Sequence, residues 1–346
     1  MRKLLIGILV ILYLAVPVHA AQMVAPEVPE SGLDRMPQNT DSFPEALAQL
    51  LQKSMELVKP ELEEALRVTA GILFAATLFS VLEIFAENAG KAVSIAGAVS
   101  IASLMLRHTD TMIGYASDTV WEICEYGKLL FPVLTAGLAA QGGAAASAAL
   151  YMGTTAFTAL MGTLISRVIT PMVYLFLAFS VAYSALGEAV MKKFADAIKS
   201  LLSWLLKSVM IVFTTYMSVT GVVSGTTDAA ALKAAKITIS SVVPVVGGIL
   251  SDASESVLVG MAIMKNTAGI YGILAVLAVF MGPFLKIGAQ YLMLKLSAAV
   301  CGIFAGKNIS ALVEDFSSAM GLLLAMLAAA CMLVLIGTVC YLKGTG

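Results

Sequence analysis

Long stretches without a single charged side chain are the feature that most limits how this sequence can fold. Residues 129–166 contain no Asp, Glu, Lys or Arg, and neither do residues 68–82, 92–106 and 317–341. A helix that crosses a bilayer needs about 20 consecutive apolar residues. Inside lipid the backbone polar groups have no water to pair with, so they must be satisfied within helices. The runs therefore predict an all-α, polytopic helical membrane protein.

Composition supports this class. The chain has 346 residues, of which 60% are hydrophobic and 12% are charged, and its mean hydropathy is +0.94. Soluble domains carry about 25% charged residues, so soluble domains of this composition would lack the polar groups to cover their surfaces. The formal net charge is −1, so the chain lacks the basic excess that is typical of nucleic-acid-binding proteins. We therefore expect the lipid bilayer as a partner and no nucleic acid.

The charge-free runs predict nine crossings, or seven if the short runs are merged. The run 129–166 is too long for one helix, and Gly142-Gly143 divides it in two. Residues 107–128 carry four acids and three aromatic residues, which predicts an external interfacial helix. Loop 188–200 is basic and is therefore placed in the cytoplasm, which puts the mature N-terminus outside and the C-terminus inside. The remaining predicted spans are 168–187, 201–223, 269–285, 287–306 and 317–341.

The N-terminal region divides into three segments. Residues 1–20 have two basic residues, an apolar run and a small-x-small end, which predicts a signal peptide; an uncleaved signal anchor is the alternative. Residues 21–41 contain three prolines and no apolar periodicity, which predicts a flexible linker. Residues 42–67 begin with a capping box and predict an external amphipathic helix. A transmembrane domain over 68–343 follows.

The sequence lacks the motifs of common enzymes. The chain has only two His and four Cys, without the spacing of a metal site. Gly306-Lys307 is followed by Asn308 and lacks the spacing of a P-loop. Gly221 to Gly225 has the wrong spacing for the serine loop of an intramembrane protease. We therefore expect no catalytic residue, no metal and no cofactor, and predict a protein that is not an enzyme.

The stretch 220–272 concentrates charged, proline and glycine residues between apolar runs. Its centre is too short for an easy crossing and is broken by proline and glycine, which predicts a broken or re-entrant hairpin at 237–264. This hairpin is either a pore-lining or partner-docking element, or an external amphipathic hairpin of structural use only. The candidate residues are Asp228, Lys233, Lys236, Pro244, Gly247, Gly248, Asp252, Glu255, Lys265 and Asn266.

Two lysines interrupt the last apolar runs. Intramembrane charges are costly and mark polar pathways or ion pairs, unless a long side chain reaches the headgroups. Lys286 lies at the end of a predicted span, which favours such snorkelling. Lys295 lies deeper, so we add it to the candidate residues as either pore-facing or paired.

Several of these residues form an ordered pattern with a family resemblance. Asp228 precedes the Lys233/Lys236 segment, and Pro244 with Gly247 precedes a Ser-Asp-Ala triplet and the pair Lys265-Asn266. Together with the Pro132 to Gly143 region, this pattern resembles the stage III sporulation protein AE family, over residues 45–343.

The resemblance implies a function that composition does not reveal. Members of this family belong to an operon set of membrane proteins with a separate cytoplasmic ATPase. With the forespore partner stage II sporulation protein Q, the set forms a secretion-like channel between mother cell and forespore that supports late forespore gene expression. The resemblance thus implies a multi-pass protein of the mother-cell membrane around the forespore. A small-solute permease that uses the hairpin 237–264 and Lys295 is the alternative.

Overall fold

The structure, a computed structural model, describes residues 26–37, 43–85, 90–140, 144–219 and 267–344. Within these ranges 95% of the residues are helical and none lies in a strand. Six of the described helices are long and apolar enough to cross a membrane. The α-helices are α1 (Glu30–Leu33), α2 (Phe43–Phe85), α3 (Gly90–Ala140), α4 (Ala144–Leu164), α5 (Thr170–Leu186), α6 (Ala189–Val219), α7 (Thr267–Phe304) and α8 (Lys307–Gly344). The all-α membrane class is therefore as predicted.

The described helices are longer than the predicted spans, because several predicted breaks are absent. Helix α2 joins the predicted amphipathic helix 42–67 to the apolar run after it, and α3 continues straight through 107–128. Helix α7 passes through Lys286 without a turn. Six continuous helices in the described ranges thus replace the shorter segments that gave seven to nine crossings. At two of the expected breaks, His108 and Lys286 contact carboxylates of α2, so these side chains have polar partners within the bundle.

Two local features connect the helices between residues 144 and 219. A π-helical turn, Ile165–Ile169, joins α4 to α5, so residues 147–186 form one continuous candidate span. Gly187 ends α5 with φ of 74°, and its N–H donates to the Tyr183 carbonyl at 2.8 Å. Glycine adopts this left-handed conformation without the strain that a Cβ imposes. The α5–α6 turn is therefore short, and the two helices pack as an antiparallel pair.

Helix α8 is the centre of the bundle. It forms an antiparallel hairpin with α7 and also packs against α3, α4, α5 and α6. In its most apolar stretch 94% of the residues are buried inside the protein, compared with 22% in α2 and in α6. The peripheral helices carry the exposed large apolar side chains, such as Phe74 and Phe85 of α2 and Ile211 of α6. The chain thus surrounds one apolar helix with others whose outer faces suit lipid.

Part of the predicted flexible linker is docked on the bundle. Of residues 21–41, the structure describes 26–37, and these lie against α7. The Arg35 Nε–H donates to the Ala278 carbonyl at 2.7 Å, and a Cβ on Gly32 would lie 2.9 Å from the Val279 methyl. Side-chain contacts at single positions therefore hold this part of the segment against the bundle, and the division of the N-terminal region into a signal peptide, a linker and an amphipathic helix stays a prediction. We call residues 26–37 the N-terminal strap.

Candidate functional site

Most of the candidate residues named from the sequence lie outside the described ranges. This applies to the signal peptide 1–20, to the hairpin at 237–264 and to ten of the candidate side chains. Lys295 is the one candidate that the described residues include. The ten outside are Asp228, Lys233, Lys236, Pro244, Gly247, Gly248, Asp252, Glu255, Lys265 and Asn266.

Lys295 is paired. Its Nζ donates to Oε1 of Glu314, which lies on the antiparallel helix α8. Both side chains stay accessible, with Lys295 50% and Glu314 42% exposed. They line an open groove of about 660 Å³ between α7 and α8, whose other walls are mostly small side chains. The pair therefore bridges the two helices while remaining open to the outside of the bundle.

A second charged cluster lies half-way along α2, α3 and α7. The Lys286 Nζ of α7 lies 2.9 Å from Glu61 and 3.8 Å from Glu64 on α2. The Glu64 carboxylate lies 3.8 Å from Nδ1 of His108 on α3. Lys286 also lies 5.9 Å from the centre of the Tyr115 ring. We call Glu61, Glu64, His108 and Lys286 the polar belt, because they join three helices at one level.

The polar belt corrects the interpretation of Lys286. The sequence favoured a snorkelling lysine at the end of a span, whereas the structure places Lys286 in the middle of α7 with carboxylate partners. Helical spacing puts Glu61 and Glu64 on one face of α2, three residues apart. This face meets α7 only in the folded bundle, so no local sequence signal could reveal the contact.

A third charged cluster surrounds the first turns of α8. Asp315 is 3% exposed, and its carboxylate accepts hydrogen bonds from Lys192 Nζ of α6 at 2.9 and 3.1 Å. Lys192 also lies 3.3 Å from Asp196, one turn along α6. Lys199 donates to the Ser318 hydroxyl at 2.8 Å. Among the described residues, Asp315 is the one charged residue that is fully buried.

The three clusters suit helix assembly better than chemistry. Each cluster joins oppositely charged side chains from different helices, which satisfies charges that apolar surroundings penalise. Within the described ranges, no group of three or more His, Cys, Asp and Glu residues is arranged to hold a metal ion. Asp315 was not singled out from the sequence, and the only available signal was an acid at the start of a long apolar run.

The fold and these contacts define a class: an all-α, multi-helix membrane protein whose interior charges are used in pairs between helices. The family described as Stage III sporulation protein AE matches residues 34–344. The chain therefore belongs to the stage III sporulation protein AE family, which confirms the resemblance drawn from its residues.

A relative in Bacillus subtilis (strain 168), named stage III sporulation protein AE, is 25% identical to this chain over 265 residues. The aligned part is 75% of this chain and 66% of the relative, slightly under two thirds of its length. No solved structure matches this chain. The name of the relative refers to a stage of sporulation and not to a reaction.

Proposed function

We propose that this protein is a non-enzymatic membrane component of a sporulation-specific, secretion-like channel complex that links mother cell and forespore. In this role it is needed for late forespore gene expression. The observation that carries the proposal is the family match over residues 34–344, which includes nearly all of the membrane bundle. The sporulation role follows from the family, and the channel complex is the finer part of the proposal.

The architecture supports a component that is built for assembly. Helix α8 is buried by helices of the same chain, and the charged side chains are used in contacts between helices. The peripheral helices α2 and α6 offer long faces, of whose most apolar stretches only 22% is buried within the part of the chain that the structure describes. A protein that scaffolds or lines a conduit needs such a stable centre and free outer faces.

The proposed partners and location come from the same family reasoning. The partners are the other membrane proteins of the stage III sporulation A set, including its cytoplasmic ATPase, and indirectly stage II sporulation protein Q in the forespore membrane. The protein would lie in the mother-cell membrane around the forespore, with its mature N-terminus outside and its C-terminus in the cytoplasm. The acidic excess before residue 67 and the basic residues of 188–200 support this orientation.

A clean deletion in the organism that encodes this chain tests the proposal. We expect vegetative growth to be normal, and sporulation to stop after engulfment with late forespore gene expression lost. Expression of the intact chain from a second locus should restore spore formation. Normal spore yield in the deletion strain would contradict the proposal.

The small-solute permease remains the alternative function. This hypothesis assigned Lys295 to a transport route as an intramembrane charge. In the structure the side chain forms an ion pair with Glu314, which is a structural contact. The contact therefore adds no separate support for transport. Uptake of a solute by purified protein in liposomes, lost in Lys295→Ala, would favour the permease over the channel component.

A further inference from the structure

Helices α2 and α7 run in the same direction along the bundle. Glu61 of α2 meets Lys286 of α7 in the polar belt. Further along, the Ser80 hydroxyl of α2 donates to the Phe304 carbonyl of α7 at 2.7 Å. Each helix begins about five turns before the polar belt. The two helices therefore start at the same end of the bundle, which we call the terminal end.

Helix α8 brings the chain back to the terminal end. It runs antiparallel to α7, and Gly269 near the start of α7 packs against the Leu342 side chain near the end of α8. The opposite end of the bundle carries the α5–α6 and α7–α8 turns, where the Ser184 hydroxyl donates to the Asn308 carbonyl at 3.0 Å. We call it the turn end. The start of α2 and the end of α8 therefore both lie at the end opposite these turns.

The helices on either side of residues 220–266 also reach the terminal end. Near the end of α6, the Tyr216 hydroxyl donates to the Ala149 carbonyl of α4 at 2.8 Å. Slightly further along α4, Oγ1 of Thr154 lies 3.4 Å from the Tyr341 hydroxyl of α8. Helix α6 thus ends, and α7 begins, at the terminal end. The six described candidate spans therefore alternate in direction and return the chain to the end where α2 starts.

The polar belt divides the bundle into a turn half and a terminal half, whose charges differ. In the turn half, α2 has no charged residue from 68 to 82 and α3 has none from 92 to 106. In the belt and the terminal half, α2 has eight Asp, Glu, Lys and Arg residues within 43–67, and α3 has six within 107–128. Charged side chains are costly in the hydrocarbon layer of a bilayer. Lipid tails therefore suit these two helices in the turn half only.

The turn half has the length of a bilayer core. Residues 68–85 of α2, 170–186 of α5 and 287–304 of α7 each extend for about 26–27 Å at a rise of about 1.5 Å per residue. The hydrocarbon layer of a bilayer is about 30 Å thick. Tyr174, near the start of α5, donates to the Asp110 carboxylate of α3 at 2.6 Å, so α5 also begins at the level of the polar belt.

Exposed large apolar side chains follow the same division. In α2, the three most exposed of them, Phe74, Ile84 and Phe85, lie in the turn half. In α7, all of them come after Lys286, because α2, α3, α8 and the N-terminal strap cover the earlier part of the helix. These α7 residues are Leu292, Leu296, Val300, Ile303 and Phe304. The outer surface of the turn half thus has the character of a lipid-facing surface.

Aromatic residues lie at the boundary between the halves. The Tyr115 ring centre is 5.9 Å from the Lys286 ammonium group, and Tyr174 is bonded to Asp110 at the same level. Tyrosine is enriched at the headgroup level of membrane proteins, where its ring meets apolar chains and its hydroxyl meets water. The polar belt therefore matches the headgroup region at one face of a bilayer.

The ion pairs inside the turn half lie close to the turn end. Lys295 and Glu314 pair with each other, and both lie within about 14 Å of the turn end along their helices. Asp315 is 3% exposed and pairs with Lys192, three residues after the start of α6. A lysine stem is long enough to carry its ammonium group from this depth towards the headgroups. These charges are therefore compatible with a bilayer around the turn half.

Two charged segments indicate which end of the bundle faces the cytoplasm. The acidic excess before residue 67 belongs to the terminal end, and the basic residues of 188–200 belong to the turn end. Cytoplasmic segments of membrane proteins carry an excess of Lys and Arg. This rule assigns the turn end to the cytoplasm.

We propose that the bilayer surrounds only the turn half, and that the terminal half projects from the outer face of the membrane together with the end of α8. The inference does not depend on the proposed function. It keeps the outer position of the N-terminal region and the cytoplasmic position of 188–200. It changes the side at which α8 ends, because seven or nine crossings separate the two ends of the chain, whereas six alternating helices bring them together.

The two tryptophans of the chain can report the placement of the bilayer, because one lies in each half. Trp204 is 62% exposed and lies 15 residues after the start of α6, about 23 Å from the turn end. Trp121 is 55% exposed and lies 13 residues beyond His108 on α3, about 20 Å outside the polar belt. Phospholipids with brominated acyl chains quench the fluorescence of an indole ring that contacts the hydrocarbon layer.

Quenching in vesicles tests the proposal. Trp121→Phe and Trp204→Phe each leave one tryptophan in the full-length protein, which is reconstituted in brominated or ordinary phosphatidylcholine. Trp121→Phe, which keeps Trp204, should show at least a twofold loss of fluorescence in the brominated vesicles. Trp204→Phe, which keeps Trp121, should show almost none. Equal quenching of the two variants, or stronger quenching of Trp204→Phe, would overturn the placement.

Labelling of introduced cysteines tests which half faces outwards. The four native cysteines are buried, so an exposed new cysteine reacts selectively. Glu56→Cys on α2, in the terminal half, should react with a membrane-impermeant maleimide in intact cells. Glu188→Cys, in the α5–α6 turn, is the matched control and should react only after the membrane is opened. Labelling of both positions in intact cells, or the reverse order, would contradict the assignment of the two faces.

Reporter fusions test where α8 ends. Alkaline phosphatase, which becomes active only outside the cytoplasm, should be active when it is fused after the last residue of the full-length chain. Green fluorescent protein at the same position is the control. It should be dark at an equal protein level, because it becomes fluorescent only when it stays in the cytoplasm. A fluorescent fusion together with an inactive phosphatase would place the end of α8 in the cytoplasm and overturn the proposal.

Discussion

The Lys192 ammonium lies 2.9 Å from a carboxylate oxygen of Asp315 and joins α6 to the central helix α8. The two partners differ in their surroundings. Asp315 is 3% exposed, whereas Lys192 is 31% exposed and has a second carboxylate, Asp196, at 3.3 Å. Removal of Lys192 therefore leaves a buried carboxylate without this partner, whereas removal of Asp315 leaves a partly exposed ammonium group. The two substitutions should not lower the stability of the protein equally.

Lys192→Met should destabilise the protein more than Asp315→Asn. The first change leaves a buried carboxylate without its counter-ion, which costs about 3–5 kcal/mol in the free energy of unfolding. The second leaves a partly exposed lysine that keeps Asp196, and we expect about 1–3 kcal/mol. Denaturant unfolding of the purified protein in detergent measures both values. Asp196→Asn, which removes the exposed partner, serves as the control and should cost at most about 1 kcal/mol. Equal losses in Lys192→Met and Asp315→Asn would contradict this account.

The polar belt should show strong coupling between Lys286 and Glu61. Lys286→Glu places a third carboxylate beside Glu61 and Glu64, and Glu61→Lys combined with it restores opposite charges. A double-mutant cycle on unfolding should give a coupling energy of about 1–3 kcal/mol, because the contact joins two helices at partly buried positions.

The pair Glu125 and Lys128 provides the comparison for that cycle. These residues also form an ion pair, but they lie three apart on the same helix, α3, and their side chains are more exposed than those of Lys286 and Glu61. The same charge exchange there should give a coupling energy of only about 0.2–1 kcal/mol. If the two cycles give the same value, the polar belt contributes no more than a pair within one helix.

The N-terminal strap should detach without unfolding of the bundle. Gly32→Leu cannot keep the present contact, because its Cβ would lie 2.9 Å from the Val279 methyl, and Arg35→Ala removes the bond to the Ala278 carbonyl. We expect faster amide hydrogen exchange in residues 30–37 in both variants, with the exchange of α8 unchanged. Gly114→Leu, at a glycine with no neighbour within 4 Å of an added Cβ, should leave the strap protected. Unchanged exchange of the strap in Gly32→Leu would contradict the docked arrangement.

The sequence predicted the membrane class and the helical content correctly, because charge-free length is a property of each segment alone. It failed at the helix ends. The polar stretch 107–128 and Lys286 suggested that spans end there at the membrane surface, whereas α3 and α7 continue through them. A charge inside a helix is tolerated where a partner on another helix faces it, and a single sequence does not show which helices are neighbours.

For the candidate residues, too, the sequence shows the residue and only the packing of the helices shows its partner. The sequence shows Lys295 as a charge within an apolar run, and the alternatives of pore-facing or paired stayed open. The partner Glu314 lies 19 positions away on the other side of a turn, and only the antiparallel packing of α7 and α8 brings the two together. The only signal at Asp315 was an acid before an apolar run, and such an acid usually lies at the membrane surface.

The sequence by itself determined that this chain forms helices in a membrane, and its ordered residues in 228–266 pointed to its family. The length of the apolar runs and the order of the residues are properties of the sequence, so they are known without the tertiary structure. The tertiary structure alone decided that α8 is the buried centre and that Lys192 meets Asp315. It also decided that Glu61, Glu64, His108 and Lys286 share one level. These contacts depend on which helix faces lie together, and that is fixed only when all the helices pack at once.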